Sequence, residues 1–363
     1  MVERRPGGQP GRMRVVVIGA TGNAGTALLR ALVDEPAVHE IVGVARRRPR
    51  SAAPKTTFQV ADVSRDALAP LLRGADAVVH LAWLIQPSRD ERVTRTTNVD
   101  GSRRVFQAVA EAGVPRLVYA SSVGAYASGP KDRRVGEDWP ATGIPSSFYS
   151  RHKAAVEGQI ARFTREHPEI RVAWLRPGLI FQRDAASGIR RLFAGPFLPS
   201  PLLRRNLVPV VPDHGRLRVQ AVHADDVADA YRRAILDDDA RGAYNVAAEP
   251  VLDGPAFARS LGAVRVPVPA QVLRAGAWLT WKGHLQPTPP GWVDMGLGVP
   301  LMDVSRARDQ LGWTARHSAD QAVLELFDGM RERAGADTPP LHPRAGGIAR
   351  VRELLTGVGG RSR

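Results

Sequence analysis

Met13-Arg14-Val15-Val16-Val17-Ile18 runs straight into Gly19-Ala20-Thr21-Gly22-Asn23-Ala24-Gly25, and an apolar helical pattern through Leu28, Leu29 and Leu32 follows. The first segment is short, β-branched and apolar, as expected of a parallel strand buried on both faces. Glycines three apart between a strand and a helix serve a tight turn, a close backbone approach to a pyrophosphate, and tight helix–strand packing. Here the strand before and the helix after supply the context that the motif demands.

The second strand, Glu40-Ile41-Val42-Gly43-Val44, ends at Ala45-Arg46-Arg47-Arg48. An NAD-selective unit carries an Asp or Glu at about this place for the ribose 2′-hydroxyl, some ~20 residues past the glycines. Ala45 fills the slot, and the guanidinium of Arg46 suits a 2′-phosphate bidentately. This favours NADP over NAD as cofactor, with Arg48 turned to solvent. Alternation continues as strand 56–60, helix 64–73, strand 76–81, helix 96–112 and strand 116–120, which predicts an α/β doubly wound parallel sheet.

Tyr149 and Lys153 stand four apart in Phe148-Tyr149-Ser150-Arg151-His152-Lys153, and the chain has only four Lys against 47 Arg. Positions i and i+4 share a helix face. An ammonium beside a phenol favours phenolate and would lower the Tyr pKa from about 10. The product is a general acid/base able to exchange a proton with a carbonyl or alcohol. Arg could not take this place, since it is not a compact charge that deprotonates.

These residues resemble the extended short-chain dehydrogenase/reductases, the NAD-dependent epimerase/dehydratase family, over roughly residues 13–315. The ordered motifs are the Gly19–Gly25 turn, Asp62-Val63, His80-Leu81-Ala82-Trp83, Asn98-Val99-Asp100-Gly101, Tyr119-Ala120-Ser121-Ser122-Val123-Gly124-Ala125-Tyr126, the Tyr149/Lys153 pair and Leu175-Arg176-Pro177-Gly178. Val222-His223-Ala224-Asp225-Asp226-Val227-Ala228 and Tyr244-Asn245-Val246 continue the pattern. The resemblance implies a Rossmann fold with a smaller C-terminal substrate lobe. It divides the chain into a disordered leader 1–12, a dinucleotide-binding core 13–180, a region 181–332 completing the core and forming the lobe, and an Arg/Gly/Pro-rich tail 333–363.

By the same resemblance Ser122, Tyr149 and Lys153 are catalytic. Gly19, Thr21, Gly22, Asn23, Gly25 and Arg46 bind the cofactor. Asp62 and Val63 meet its adenine, Leu81 and Ala82 line the cleft, Pro177 approaches the nicotinamide, and Lys153 holds ribose hydroxyls. Asn98 is expected to tie backbone near the site, Ser121 to point inward, and His152 to be solvated. Asp225 and Asp226 are expected at a helix N-terminus, where the macrodipole favours them, and no metal site is expected. A homodimer through helices 96–112 and 148–167 is what the family suggests.

Two departures bear on the chemistry. Dehydratases of the family place an acidic pair after the catalytic hydroxyl, where this chain has Val123-Gly124. Nucleotide-sugar epimerases carry an Arg four residues before the later-strand His; that slot is Val219, with Arg218 one position off. The expected activity is therefore NAD(P)-dependent hydride transfer to or from a carbonyl or secondary alcohol, an oxidoreductase in preference to an epimerase. The alternatives are a nucleotide-sugar epimerase acting on a sugar substrate, or a non-catalytic NADP(H)-binding sensor.

The lobe candidates are 83–95, 127–147, 179–218 and 263–300, with an apolar, basic stretch at 189–205 and Trp278, Trp281 and Trp292 in the last tract. An amphipathic stretch near 348–356 lies in the tail. The net charge of +15 invites a nucleic-acid reading, but the Arg excess is spread out and no nucleic-acid motif accompanies it. No apolar run of 18 residues or more is present, so no membrane span is expected. With no signal-like segment and no cysteine, a cytoplasmic location is the expectation.

Overall fold

The computed structural model describes residues 12–86, 89–193 and 210–342. The leader, the stretch 194–205 and the tail segment 348–356 singled out above lie outside the described residues, apart from residue 12. The elements run β1 (Met13–Ile18), α1 (Asn23–Val33), β2 (Val38–Ala45), β3 (Thr56–Val60), α2 (Ala69–Leu72), β4 (Ala77–His80), α3 (Glu91–Arg95), α4 (Gly101–Glu111) and β5 (Arg116–Ala120). Then come β6 (Arg134–Val135), α5 (Phe148–Glu166), β7 (Arg171–Pro177), β8 (Leu179–Phe181), α6 (Ala186–Phe193), β9 (Val210–Asp213), β10 (Ala221–His223), α7 (Ala224–Leu236) and β11 (Gly242–Val246). The chain continues through α8 (Gly254–Leu261), β12 (Val264–Pro267), α9 (Ala270–Lys282), α10 (Gly291–Gly298), β13 (Leu301–Met302), α11 (Ser305–Leu311) and α12 (Ala319–Glu332).

Seven parallel strands form one sheet in the order β11-β7-β5-β4-β1-β2-β3. Because β1 is bare of polar side chains beyond Arg14 and Val15, Val16, Val17 and Ile18 are wholly buried, both faces of the sheet must be covered. On one face α1, α7 and α11 contribute Leu28, Leu32, Tyr231, Ile235 and Leu311 to the core. On the other, α2, α4 and α5 contribute Leu72, Phe106, Val156 and Ile160. The order reverses at β1, leaving a crevice beyond the carboxyl ends of β1 and β4, where α/β sheets take their ligands. Three two-stranded ribbons, β8–β10, β9–β12 and β6–β13, flank this edge.

Local chemistry moved two boundaries from their expected places. The helix expected at 64–73 is only α2, because Asp62 accepts from the Ser64 N–H at 2.9 Å and Asp66 accepts from the Asp62 N–H at 2.7 Å, holding 62–66 in turns. The helix expected at 96–112 begins earlier, where the Asp90 carboxylate accepts from the Arg92 N–H at 3.1 Å. It passes through a π-helical turn at Thr96–Asp100 before α4.

The glycine turn is sterically obligatory. Gly19 has φ +91°, and a Cβ there would stand 2.6 Å from the Ala82 nitrogen; one on Gly25 would stand 2.4 Å from the Gly19 carbonyl oxygen. Gly25→Ala should thus force α1 off the turn and destabilise the protein by about 1–3 kcal/mol. Urea unfolding of the variant would show it; an unchanged midpoint would mean that the turn yields freely.

Candidate active site

The crevice holds a cavity of ≈ 550 Å³. At one end it is lined by the turn residues Gly19, Thr21, Gly22 and Asn23, with Arg46, Asp62 and Val63 beside them. Leu81, Ala82 and Pro177 line the middle, and Ser122, Tyr149 and Lys153 line the other end. Of the expected site residues only Gly25 is set back from the wall, where it lets α1 pack on the turn.

Each wall is held by specific bonds. Asn23 donates through Nδ2 to the Ile180 carbonyl at 3.1 Å, and Gln182 donates to its Oδ1 at 2.6 Å, which ties α1 to β8. Asp62 is pushed up by burial, but hydrogen bonds from Ser64 and the charges of Arg46 and Arg65 outweigh this and hold it below its ordinary value. Asn98 accepts from the Leu84 N–H at 2.7 Å and donates to the Leu84 carbonyl at 2.8 Å, so the π-helical turn braces the loop after β4. Asp225 and Asp226 lie in the first turn of α7.

Ser122 follows β5 in extended conformation, and its Oγ accepts from the Gly124 N–H at 3.0 Å. That leaves the hydroxyl proton to donate elsewhere, and the Tyr149 phenol stands near enough for this hydroxyl to favour its ionised form. Tyr149 and Lys153 arise from the first turns of α5, whose N-cap Ser147 accepts from the Ser150 N–H. Lys153 is 3% exposed. Its Nζ donates to the Ala120 carbonyl at 2.6 Å and stands 3.6 Å from the centre of the Trp83 ring.

The electrostatics differ from the i,i+4 expectation. Burial raises the Tyr149 phenol above its ordinary value, and the Ser122 hydrogen bond only partly offsets this. Burial also pulls the Lys153 ammonium down to about 7, against the opposing pull of Glu157. In a dry pocket desolvation penalises both charged forms, so it outweighs the mutual attraction that spacing alone suggests.

The far end of the cavity is aromatic and apolar. Trp83 meets Tyr149 edge-on with ring centres 5.8 Å apart, and Trp292 lies 5.0 Å from it on another side. Val123 and Met295 complete this end. Of the three tryptophans singled out in the 278–300 tract, Trp292 lines the cavity; Trp281 lies instead under the Arg89 guanidinium at 4.6 Å, and Trp278 is exposed. A Cβ on Gly124 would fall 2.9 Å from Tyr149 Cε1 and 3.1 Å from Met295 Sδ. No acidic side chain fits there while the phenol keeps its place.

Residue reasoning missed a buried group behind the site. Glu157, one further turn along the same face of α5, accepts from Arg176 through Nε at 2.8 Å and Nη2 at 2.5 Å, and from Ser121 Oγ at 2.5 Å. The i,i+4 continuation from Lys153 was a visible signal for it. His152, expected in solvent, is instead buried beside Phe148, with Nε2 3.3 Å from Glu91. Glu91, the first residue of α3, meets that helix face, which the sequence of α5 alone does not reveal. Arg218 is engaged as well, donating to the Lys131 carbonyl at 2.5 Å.

Known proteins share this architecture. The sequence matches the NAD dependent epimerase/dehydratase family over residues 15–247. The chain belongs to that family. An uncharacterized protein of Mycobacterium tuberculosis is 31% identical over 326 residues, 89% of this chain, which spans only 31% of that relative's length. L-arabinose 1-dehydrogenase (NAD(P)(+)) of Haloferax volcanii is 26% identical over 233 residues, covering 59% of this chain and 89% of that enzyme. Among solved structures, UDP-glucuronic acid 4-epimerase of Bacillus cereus in complex with UDP-glucuronic acid and NAD superposes with a TM-score of 0.64 at 17% identity. That alignment covers 88% of this chain and 99% of the epimerase, and it speaks for the fold.

The buried lysine predicts a pH signature. Folded, Lys153 titrates at about 7; unfolded, at about 10.4. Between these values the unfolded chain binds more protons, so stability rises with pH, by up to about 1.4 kcal/mol per pH unit. Below about 7 both states are protonated and this slope vanishes. Lys153→Met should flatten the rise in unfolding free energy between pH 7 and 9; an unaltered slope would show that the ammonium is not desolvated.

Proposed function

We propose that this chain is an NAD(P)-dependent oxidoreductase acting on an apolar carbonyl or secondary alcohol, with Tyr149 as general acid/base. One observation carries the reading: phenol, serine hydroxyl and lysine converge at one end of a dinucleotide-sized crevice, against walls of Trp83, Trp292 and Met295.

The residues present fit a dinucleotide. A Cβ on Gly19 or Gly25 would close the turn, while the free backbone of such a turn before a helix suits a pyrophosphate. Arg46 and Arg47 stand at the rim beside it. The cofactor supplies or accepts a hydride. Tyr149 would give its proton to the carbonyl oxygen on reduction and take it back on oxidation. Ser122, its lone pair occupied by the Gly124 N–H, would donate a hydrogen bond to that oxygen and so polarise it. Lys153 would hold ribose hydroxyls, and in its protonated form it stabilises the phenolate. The surrounding rings exclude water, which strengthens each of these interactions.

Arg46 and the Ala45 slot support NADP as the preferred cofactor, with NAD as the other choice. At the substrate end the described lining is uncharged apart from Lys153, which suits an apolar substrate better than a nucleotide diphosphate. The second reading is a nucleotide-sugar epimerase, supported by the fold shared with the Bacillus enzyme.

Two measurements test the proposal. Tyr149→Phe should lower kcat for carbonyl reduction by about 10²–10⁴ and leave the cofactor Kd unchanged. Arg46→Ala should weaken NADPH about ten- to a hundred-fold and spare NADH. Equal effects on both cofactors would remove the 2′-phosphate assignment. Interconversion of UDP-sugars with NAD, and no net reduction of ketones, would give the site to epimerisation.

A further inference from the structure

The helix α9 buries none of its residues, although its sequence is mostly apolar. Val272, Ala275, Gly276 and Leu279 recur at helical spacing on one face, and Val272 and Leu279 are 57% and 61% exposed. The inner face carries Leu273, Ala277 and Trp281. Immediately before α9, the β9–β12 ribbon presents Val264 and its register partner Val210 to solvent, together with Val266. Trp278 and Leu285 extend the exposed apolar surface. Exposed apolar side chains gathered over so short a stretch of chain mark a contact with another phase or molecule.

Charge decides the partner. From Asp253 to Asp294 the chain has no acidic residue between the two, while it holds Arg259, Arg265, Arg274 and Lys282. Arg259 and Arg265 share one shallow depression beside the ribbon. Arg265 and Arg274 reach Asp213 at 3.4 Å and Asp294 at 3.0 Å but stay half exposed. Lys282 lies 5.4 Å from the Trp278 ring centre at the end of the helix. Two copies facing each other here would oppose like charges. Apolar residues with a Trp on one side and exposed Lys/Arg flanking it are instead the pattern of a helix lying in a bilayer interface, drawn there by anionic headgroups.

The geometry points to α9 and the β9–β12 ribbon as a docking face for an anionic phospholipid surface, on which the protein rests without spanning it. No described helix is long and apolar enough to cross a membrane, and surface docking needs none. The chain passes from α9 directly to Pro287 and Trp292 in the cavity wall, so docking would bring the apolar end of the cavity towards the lipid. The inference concerns the surface and stands whatever reaction the site performs.

Flotation of the full chain with two vesicle types tests it: equal parts phosphatidylcholine and phosphatidylglycerol, and phosphatidylcholine alone. The protein should float with the anionic vesicles only, and high salt should release it. Leu279→Ser should cut the partition coefficient about ten-fold. Arg259→Gln and Lys282→Gln should cut it about five-fold each, and all variants should retain dinucleotide binding as proof of folding. The assignment is overturned if the protein does not float, or if these variants float like wild type, which would shift binding to another basic segment. Sedimentation velocity gives the remaining arm: a dimer that Leu279→Ser dissolves would make the face an interface between copies, and the lipid assignment would fall.

Discussion

The buried pair Glu157–Arg176 holds the site end of the molecule together. Both side chains are at most 6% exposed, and in such a place an unpaired charge is costly, by about 3–5 kcal/mol when one partner is removed. The pair therefore commits α5 to the carboxyl edge of the sheet. Arg176 brings with it β7 and Pro177, and Ser121 brings the end of β5. On its other side Arg176 donates to the Tyr126 hydroxyl at 2.8 Å, which in turn donates to Asn245 on β11 at 2.7 Å. Tyr149, Lys153, Ser122 and Pro177 take their positions from elements that this one network fastens.

Against that scaffold the titratable groups of the site are poised by dryness more than by proximity. Lys153 touches the Ala120 carbonyl, the Trp83 face and the field of Glu157, yet burial still dominates it. Tyr149 is governed in the same way. Each group is thereby moved toward its neutral form, and Lys153, brought to about 7, is the one that a small change in local charge tips. His80, beneath them, shows the extreme of the effect: burial, with the Lys153 charge adding to it, pulls the imidazole down to about 3, and it remains neutral against the Ser102 hydroxyl.

Much of the fold was legible because a doubly wound sheet writes itself locally. Its strands are apolar runs and its first turn has glycines where only glycine fits. What failed to read out was non-local. Nothing in the residues of α5 says that Glu91 of α3 meets a buried His152, and nothing in 64–73 alone says that Asp62 and Asp66 hold that stretch in turns. Tyr149 and Lys153 were legible as neighbours, whereas the sign of their pKa shifts depends on Trp83 and Trp292, which reach them from segments distant in sequence. The lobe was the least legible part for the same reason: its core joins Phe181, Ala221, Leu252, Ala322 and Leu326 from four separate segments.

Gly124 has a wider meaning. The space that a side chain would need there belongs to the Tyr149 ring and to Met295. Acquiring the acidic pair of a dehydratase is therefore not one substitution away. Any side chain at this position presses on the Tyr149 ring and on Met295 of α10 together. A single missing methyl group is what leaves the Tyr149 ring and Met295 room to pack at this end of the cavity.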